Sequence, residues 1–223
     1  MSGFAARAVG FVPSAPLLVP QVAGGSAAAD EELREACRKL VRWLAHDAEE
    51  IVVVARTNER GAWSDEATWG FEGFGVTRRP PDDRPRLPWQ LGIGGWLLDE
   101  VGWQGARRYC GVDGAVPSEI GSHCAVLVVG DASARRSEKA PGHLDERAEA
   151  FDHGVARALE SGDAAALRGL DATLAEELMC AGAPVWRWLA EAIDARPVTS
   201  AELLADTAPY GVGYLVAYWA LAD

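Results

Sequence analysis

Ala125-Val126-Leu127-Val128-Val129-Gly130-Asp131-Ala132-Ser133-Ala134-Arg135-Arg136 is the stretch on which the fold turns. Five apolar residues in succession read as a strand, and Gly130-Asp131 ends it. The strand therefore delivers the chain into a loop that carries Asp131, Ser133, Arg135 and Arg136. Two earlier runs share this layout. Ala8 to Val12 is apolar and halted by Pro13, and Ile51 to Ala55 is a continuous β-branched run of the kind covered on both faces in a parallel sheet. Between them, Asp30 caps an amphipathic helix reaching to about Asp47, with Leu33, Cys37, Leu40, Val41 and Leu44 on one face. Strand, helix and strand in that order form a βαβ unit.

The remainder extends the pattern. Ser14 to Gly25 is a Pro- and Gly-rich loop, and Leu91 to Val101 reads as a helix despite Gly92, Gly94 and Gly95. Arg107 to Val112 is another strand, Asp145 to Ser161 a helix, and further helical segments cover about Ala164 to Ala195. Ala201 to Asp206 and Gly213 to Leu221 read as a closing strand pair or hairpin. The expected fold is a single α/β domain over residues 1–223, a three-layer α/β/α arrangement with a mainly parallel central sheet and a C-terminal strand pair. Arg56 to Gln90 is the irregular part, with Trp63, Trp69, Phe71, Phe74 and Trp89 among Gly, Pro and charged residues. Such a segment is either a lid over a cleft or a loop packed by its own aromatics.

Composition narrows the function classes. A formal charge of −12 argues against nucleic-acid or anionic-membrane partners, because phosphate binding needs a basic surface. Cys37, Cys110, Cys124 and Cys180 are far apart, with no Cys-x-x-Cys pair, so a zinc knuckle or redox motif is unsupported and reduced, mostly buried thiols are expected. Arg7 interrupts the apolar N-terminal run, which speaks against a signal peptide. No apolar run approaches the roughly 18 residues that span a bilayer. A cytoplasmic protein is the expectation.

In open α/β sheets, ligands bind beyond the carboxyl ends of the strands. Pro13-Ser14, Arg56-Thr57-Asn58 and Asp131 to Arg136 leave such ends, and the Ala208-Pro209-Tyr210-Gly211 turn is a fourth candidate. These loops are expected to converge on one cleft. Arg135 is either a bidentate clamp for a carboxylate or phosphate, or part of a solvated loop. Ser133 lacks an identifiable base, so a hydrolase triad is rejected. Among the histidines, His46 reads as solvated, His153 as solvent-facing and His123 as a core or strand-edge residue, while His143 alone has a route to the cleft. Gly92-x-Gly94-Gly95 is not followed by Lys-Ser/Thr, so it reads as helix packing rather than a phosphate loop.

Several of these segments resemble the class III extradiol ring-cleavage dioxygenases, the LigB-like branch whose relatives include the Memo-like proteins. Gly130-Asp131-Ala132-Ser133-Ala134 resembles that family's Gly-Asp-Leu-Ser-His, and Phe11 to Pro20 resembles its Val-Pro-His-Pro-Pro-Leu-Leu-Val-Pro opening. Asp206 to Tyr214 resembles its Tyr-Glu-Gly-Pro-Phe-Gly-Val-Gly-Tyr segment, and Ile51 to Val54 its strand before a Ser-Pro-His turn. The resemblance implies that the iron-ligand positions fall on Ser14, Asn58 and Thr207, and the acid/base position on Ala134. All four depart from the pattern. Ser, Asn and Thr are neutral and hold divalent transition ions poorly, whereas a ferrous oxygenase needs two His and one carboxylate.

The leading expectation is therefore a divergent member of that fold, without a catalytic iron, binding a small molecule or a protein partner. The alternative is a metal-dependent oxidoreductase with relocated ligands, Fe²⁺ being held by groups such as His143 and Asp131. A third is a structural subunit using the Trp-rich loop as an interface, and a homo-oligomer is compatible with each. The cleft candidates are Ser14, Asn58, Asp131, Ser133, Arg135, His143, Thr207 and Tyr210.

Overall fold

A computed structural model describes residues 3–24, 28–59, 61–76, 83–112, 119–194 and 196–222. Gly25 and Ala195, which end two of the expected segments, lie outside the described residues. The strands are β1 (Gly3–Phe4), β2 (Ala8–Val12), β3 (Glu50–Ala55), β4 (Ala62–Trp63), β5 (Ala106–Gly111), β6 (Glu119–Ile120), β7 (Cys124–Val129), β8 (Val198–Thr207) and β9 (Tyr214–Leu221). The helices are α1 (Pro20–Ala23), α2 (Ala28–Ala45), α3 (Trp89–Glu100), α4 (Arg147–Ser161), α5 (Ala164–Arg168), α6 (Ala172–Glu177) and α7 (Ala183–Ala192). The main sheet runs β4-β5-β3-β7-β2-β9-β8, with β1 and β6 forming a small parallel pair beside it.

Only the centre of the sheet is parallel: β5, β3, β7 and β2 pair in that sense, while β4, β9 and β8 are antiparallel to their neighbours. The strand pair at the C-terminus thus extends the sheet rather than standing apart from it. The helical run after residue 164 is divided into three: Asp163 and Asp171 cap α5 and α6 by accepting backbone N–H bonds, and α7 starts afresh after Gly182 with Pro184 in its first turn.

The strand pleat partitions the core. Val9, Phe11, Val52, Val54, Val126 and Val128 face one side, against α4, α5 and α7. Ile51, Val53, Leu127 and Val129 face the other, against α2 and α3. Leu33, Cys37, Leu40, Val41 and Leu44 are all buried, as one stripe of α2 requires. Each Leu or Val so buried contributes roughly 1.5–3 kcal/mol. A Cβ at Gly94 would run into the Val53 side chain, so that glycine lets α3 lie close over the middle of β3.

This partition creates the cleft. The chain leaves β2 and β3 toward the face covered by α2 and α3, but leaves β7 toward α4 on the opposite face. Since β7 lies between β3 and β2, its exit diverges from both neighbours, and a crevice opens at the carboxyl ends of these strands.

Gly94→Ala forces α3 away from Val53 and is expected to lower stability by about 1–3 kcal/mol. Urea unfolding measures this, and an unchanged midpoint would show that α3 has room to spare.

Candidate functional site at the ends of the parallel strands

Ser14, Arg56, Asn58 and Asp131 line one cavity of about 240 Å³, together with Trp89, Gln90 and Ala181. Three loops supply the first four residues, one from each of β2, β3 and β7. Asp131 is its single carboxylate and Arg56 its single cation among the lining residues.

The loop after β7 is fixed by backbone bonds on every side. Gly130 N donates to Val12 O at 2.9 Å, Ala132 N to Gly213 O at 2.9 Å, and Gly182 N to Asp131 O at 2.8 Å. A Cβ on Gly130 would meet the Gly182 backbone at 2.5 Å, so only glycine permits this approach of the loop to the start of α7. Ser14 then clasps Asp131: its N donates to Oδ1 at 2.7 Å and its Oγ to Oδ2 at 2.8 Å. Ser14 is buried, and its hydroxyl is committed to that carboxyl. Burial pushes the Asp131 carboxyl up from 3.8 to about 6, against the two Ser14 bonds, which favour its anion.

Ser133 makes a matching clasp in the opposite direction. Its N and Oγ donate to Asp152 Oδ1 and Oδ2, both at 2.8 Å, and Arg136 adds a bond to Oδ2 at 3.2 Å. Asp152 is buried, and its carboxyl is likewise raised by desolvation. Ser133 is fully buried and holds the loop to α4; it is not among the cleft-lining residues. Ala134 is packed inside the same loop, its N bonded to Leu178 O and its O receiving Gly142 N, both at 3.0 Å.

The other expected residues lie elsewhere. Arg135 passes over Gly142, and its buried Nε has no hydrogen-bond partner among the described residues. His143 is exposed, in a left-handed turn with φ 57°, and does not line the cleft. Thr207 ends β8 at the same edge of the sheet, but β9 separates it from β2, placing it about 10 Å from Ser14 by strand spacing. Tyr210 is exposed at the tip of the turn that Gly211 N closes onto Ala208 O. His46 and His153 are exposed, and so is His123, which sits in the turn before β7 rather than in the core or along a strand edge.

Gln90 and Ala181 complete the cleft without having been singled out, and Trp89 joins them from the aromatic segment read as a lid or a self-packed loop. Trp89 and Gln90 open α3 directly after Pro88, a helix-start signal placed two residues before the expected boundary. Within the aromatic segment, Trp69 and Phe71 pack together at 5.5 Å, and Trp69 Nε1 donates to Asp99 at 2.8 Å. Phe74 meets Trp89 edge-on at 5.7 Å, and both line a neighbouring cavity that shares Asn58 and Gln90 with the cleft. The segment is thus packed by its own inner aromatics and borders the cleft through its outer ones.

The three positions that the resemblance assigns to iron do not fit that ion. Ser14 spends its hydroxyl on Asp131, Asn58 is neutral, Thr207 stands two strands away, and Arg56 on the cleft wall opposes a divalent cation. Among the described residues, no group of three or more His, Cys, Asp or Glu side chains is placed to hold a metal. Nor is any helix among them long and apolar enough to cross a membrane.

No protein-family model and no curated protein sequence matches this chain.

The raised Asp131 carboxyl sets a pH dependence. Its folded pKa of about 6 exceeds the ordinary 3.8, so the stability it confers is complete below about pH 4 and lost as pH rises through 6. Asp131→Asn cannot ionise. Between about pH 4 and about pH 7 the wild type is expected to lose up to about 3 kcal/mol more unfolding free energy than this variant. Parallel pH profiles for the two proteins would contradict the burial of this carboxyl.

Proposed function

We propose that this chain is a divergent member of the LigB-like extradiol dioxygenase fold that binds a small polar molecule in the Ser14–Asn58–Asp131 cleft and does not cleave aromatic rings through iron. The carrying observation is the convergence of three strand-end loops on one cavity whose polar groups are a clasped carboxyl, an amide pair and an arginine. Asn58 and Gln90 each offer an amide donor and acceptor, and Arg56, ion-paired with Glu176 at 3.1 Å, places a guanidinium on the cavity wall. With a pKa of about 6, Asp131 accepts hydrogen bonds as an anion at neutral pH and donates one in mild acid. Trp89 supplies an apolar wall.

The departures at Ser14, Asn58, Thr207 and Ala134 support the same reading from the chemistry side. A facial iron site needs imidazole and carboxylate ligands, and proton transfer needs a titratable group where Ala134 stands. A cavity of about 240 Å³ suits a compact ligand of few heavy atoms.

Two experiments test the proposal together. Protein prepared anaerobically with supplied Fe²⁺ is expected to carry far less than one iron per chain and to leave catechols intact. A thermal-shift screen of small amides, hydroxy acids and polyols is expected to yield a stabilising compound whose effect Asn58→Ala reduces roughly tenfold in affinity. Stoichiometric iron with ring cleavage would overturn the reading, as would a screen in which every hit is indifferent to Asn58→Ala.

A further inference from the structure

The cavity of about 260 Å³ beside the cleft has walls of a different character. Phe71, Phe74 and Trp89 bring aromatic rings to it, and Glu59 and Glu72 bring two carboxylates. No Lys or Arg stands among its described lining residues. Phe74 and Trp89 meet edge-on, with 5.7 Å between ring centres and 75° between planes, so the two rings form a corner. Phe74 is 42% exposed, a large apolar ring left uncovered on the short turn Glu72–Phe74. A Cβ at Gly70 would run into the Glu72 carboxylate, so that group lies back over Gly70 on the cavity wall.

The two carboxylates are weakly matched. Arg86 is the cation facing Glu72, and its Nε stands 3.8 Å away, beyond hydrogen-bond distance. Glu59 forms no ion pair among the described residues.

Rings and carboxylates select the same kind of ligand. The face of an aromatic ring is negative, and a cation placed over it is attracted. A carboxylate or phosphate would be repelled by Glu59 and Glu72. A metal ion needs several donors at once, and no group of three or more acidic, His or Cys side chains among the described residues supplies them. A methylated ammonium spreads its charge over an apolar surface, so its methyl groups pack against the rings while the carboxylates balance the charge.

We propose that this cavity binds a small organic cation of the quaternary ammonium class, with its methyl groups against Phe74 and Trp89 and its charge beside Glu59 and Glu72. The paired rings carry the assignment and the carboxylates set its sign. It rests on this cavity alone and holds whether or not the Asp131 cleft takes a ligand.

The test is titration of the whole protein with choline, read by calorimetry and proton NMR. The control is 3,3-dimethylbutan-1-ol, which has the same shape and hydroxyl without the charge. Choline is expected to bind saturably and roughly fivefold more tightly than the alcohol, with its methyl protons shifted upfield by the rings. That shift is read on the wild type and needs no variant. Phe74→Leu keeps an apolar side chain but loses the ring, and is expected to weaken choline about fivefold. Glu59→Gln and Glu72→Gln together are expected to remove the preference for choline over the alcohol. Amide shifts of the protein should centre on Glu72 and Phe74. Absence of saturable choline binding, equal or tighter binding of the alcohol, affinity unchanged in folded Phe74→Leu, or shifts centred on Ser14 and Asp131 would each overturn the assignment.

Discussion

The Ser14–Asp131 clasp is the interaction on which the cleft depends. A carboxyl taken out of water needs donors, and Ser14 gives two of them within 2.8 Å, one from the backbone and one from the hydroxyl. That pairing ties the loop after β2 to the loop after β7 at the point where the chain departs toward opposite faces of the sheet. The Gly130 N to Val12 O bond joins the same two strand ends beside it. The donors do not fully offset the burial, which is why the carboxyl stays above its ordinary range.

The same device recurs one step along the chain. Ser133 clasps Asp152 as Ser14 clasps Asp131, so β2, the β7 loop and α4 are linked in series by two serine–carboxyl pairs. The first pair faces the cavity and the second is sealed from solvent. Two serine–carboxyl clasps that look alike in geometry therefore do different work. One places a titratable group where a ligand could meet it, and the other makes the loop rigid enough to keep it there.

Much of the scaffold was legible in the sequence because it rests on local patterning. The apolar runs at Ala8, Ile51 and Ala125 became parallel strands, and the Leu33–Leu44 stripe became the buried face of α2. The antiparallel joining of β9 to β2 and of β4 to β5 was not legible, since these pairings are distant in sequence. At the site, Ser14, Asn58 and Asp131 lie together as strand-end logic implies, whereas Ser133, Arg135, His143, Thr207 and Tyr210 do not line the cavity. Loop membership fixes where a residue sits along the chain, but not where its side chain points. Ser133 illustrates this: its partner Asp152 is on a helix 19 residues later, and nothing local announces the bond.

The most direct test of this account is a pH titration of the Asp131 carboxyl carbon by NMR in the wild type and in Ser14→Ala. The wild-type midpoint is expected near 6, and a higher one in Ser14→Ala, where the hydroxyl no longer favours the anion. A midpoint near the ordinary 3.8 in both proteins would mean that Asp131 is solvated and that Ser14 does not hold it, and the cleft described here would lose its centre.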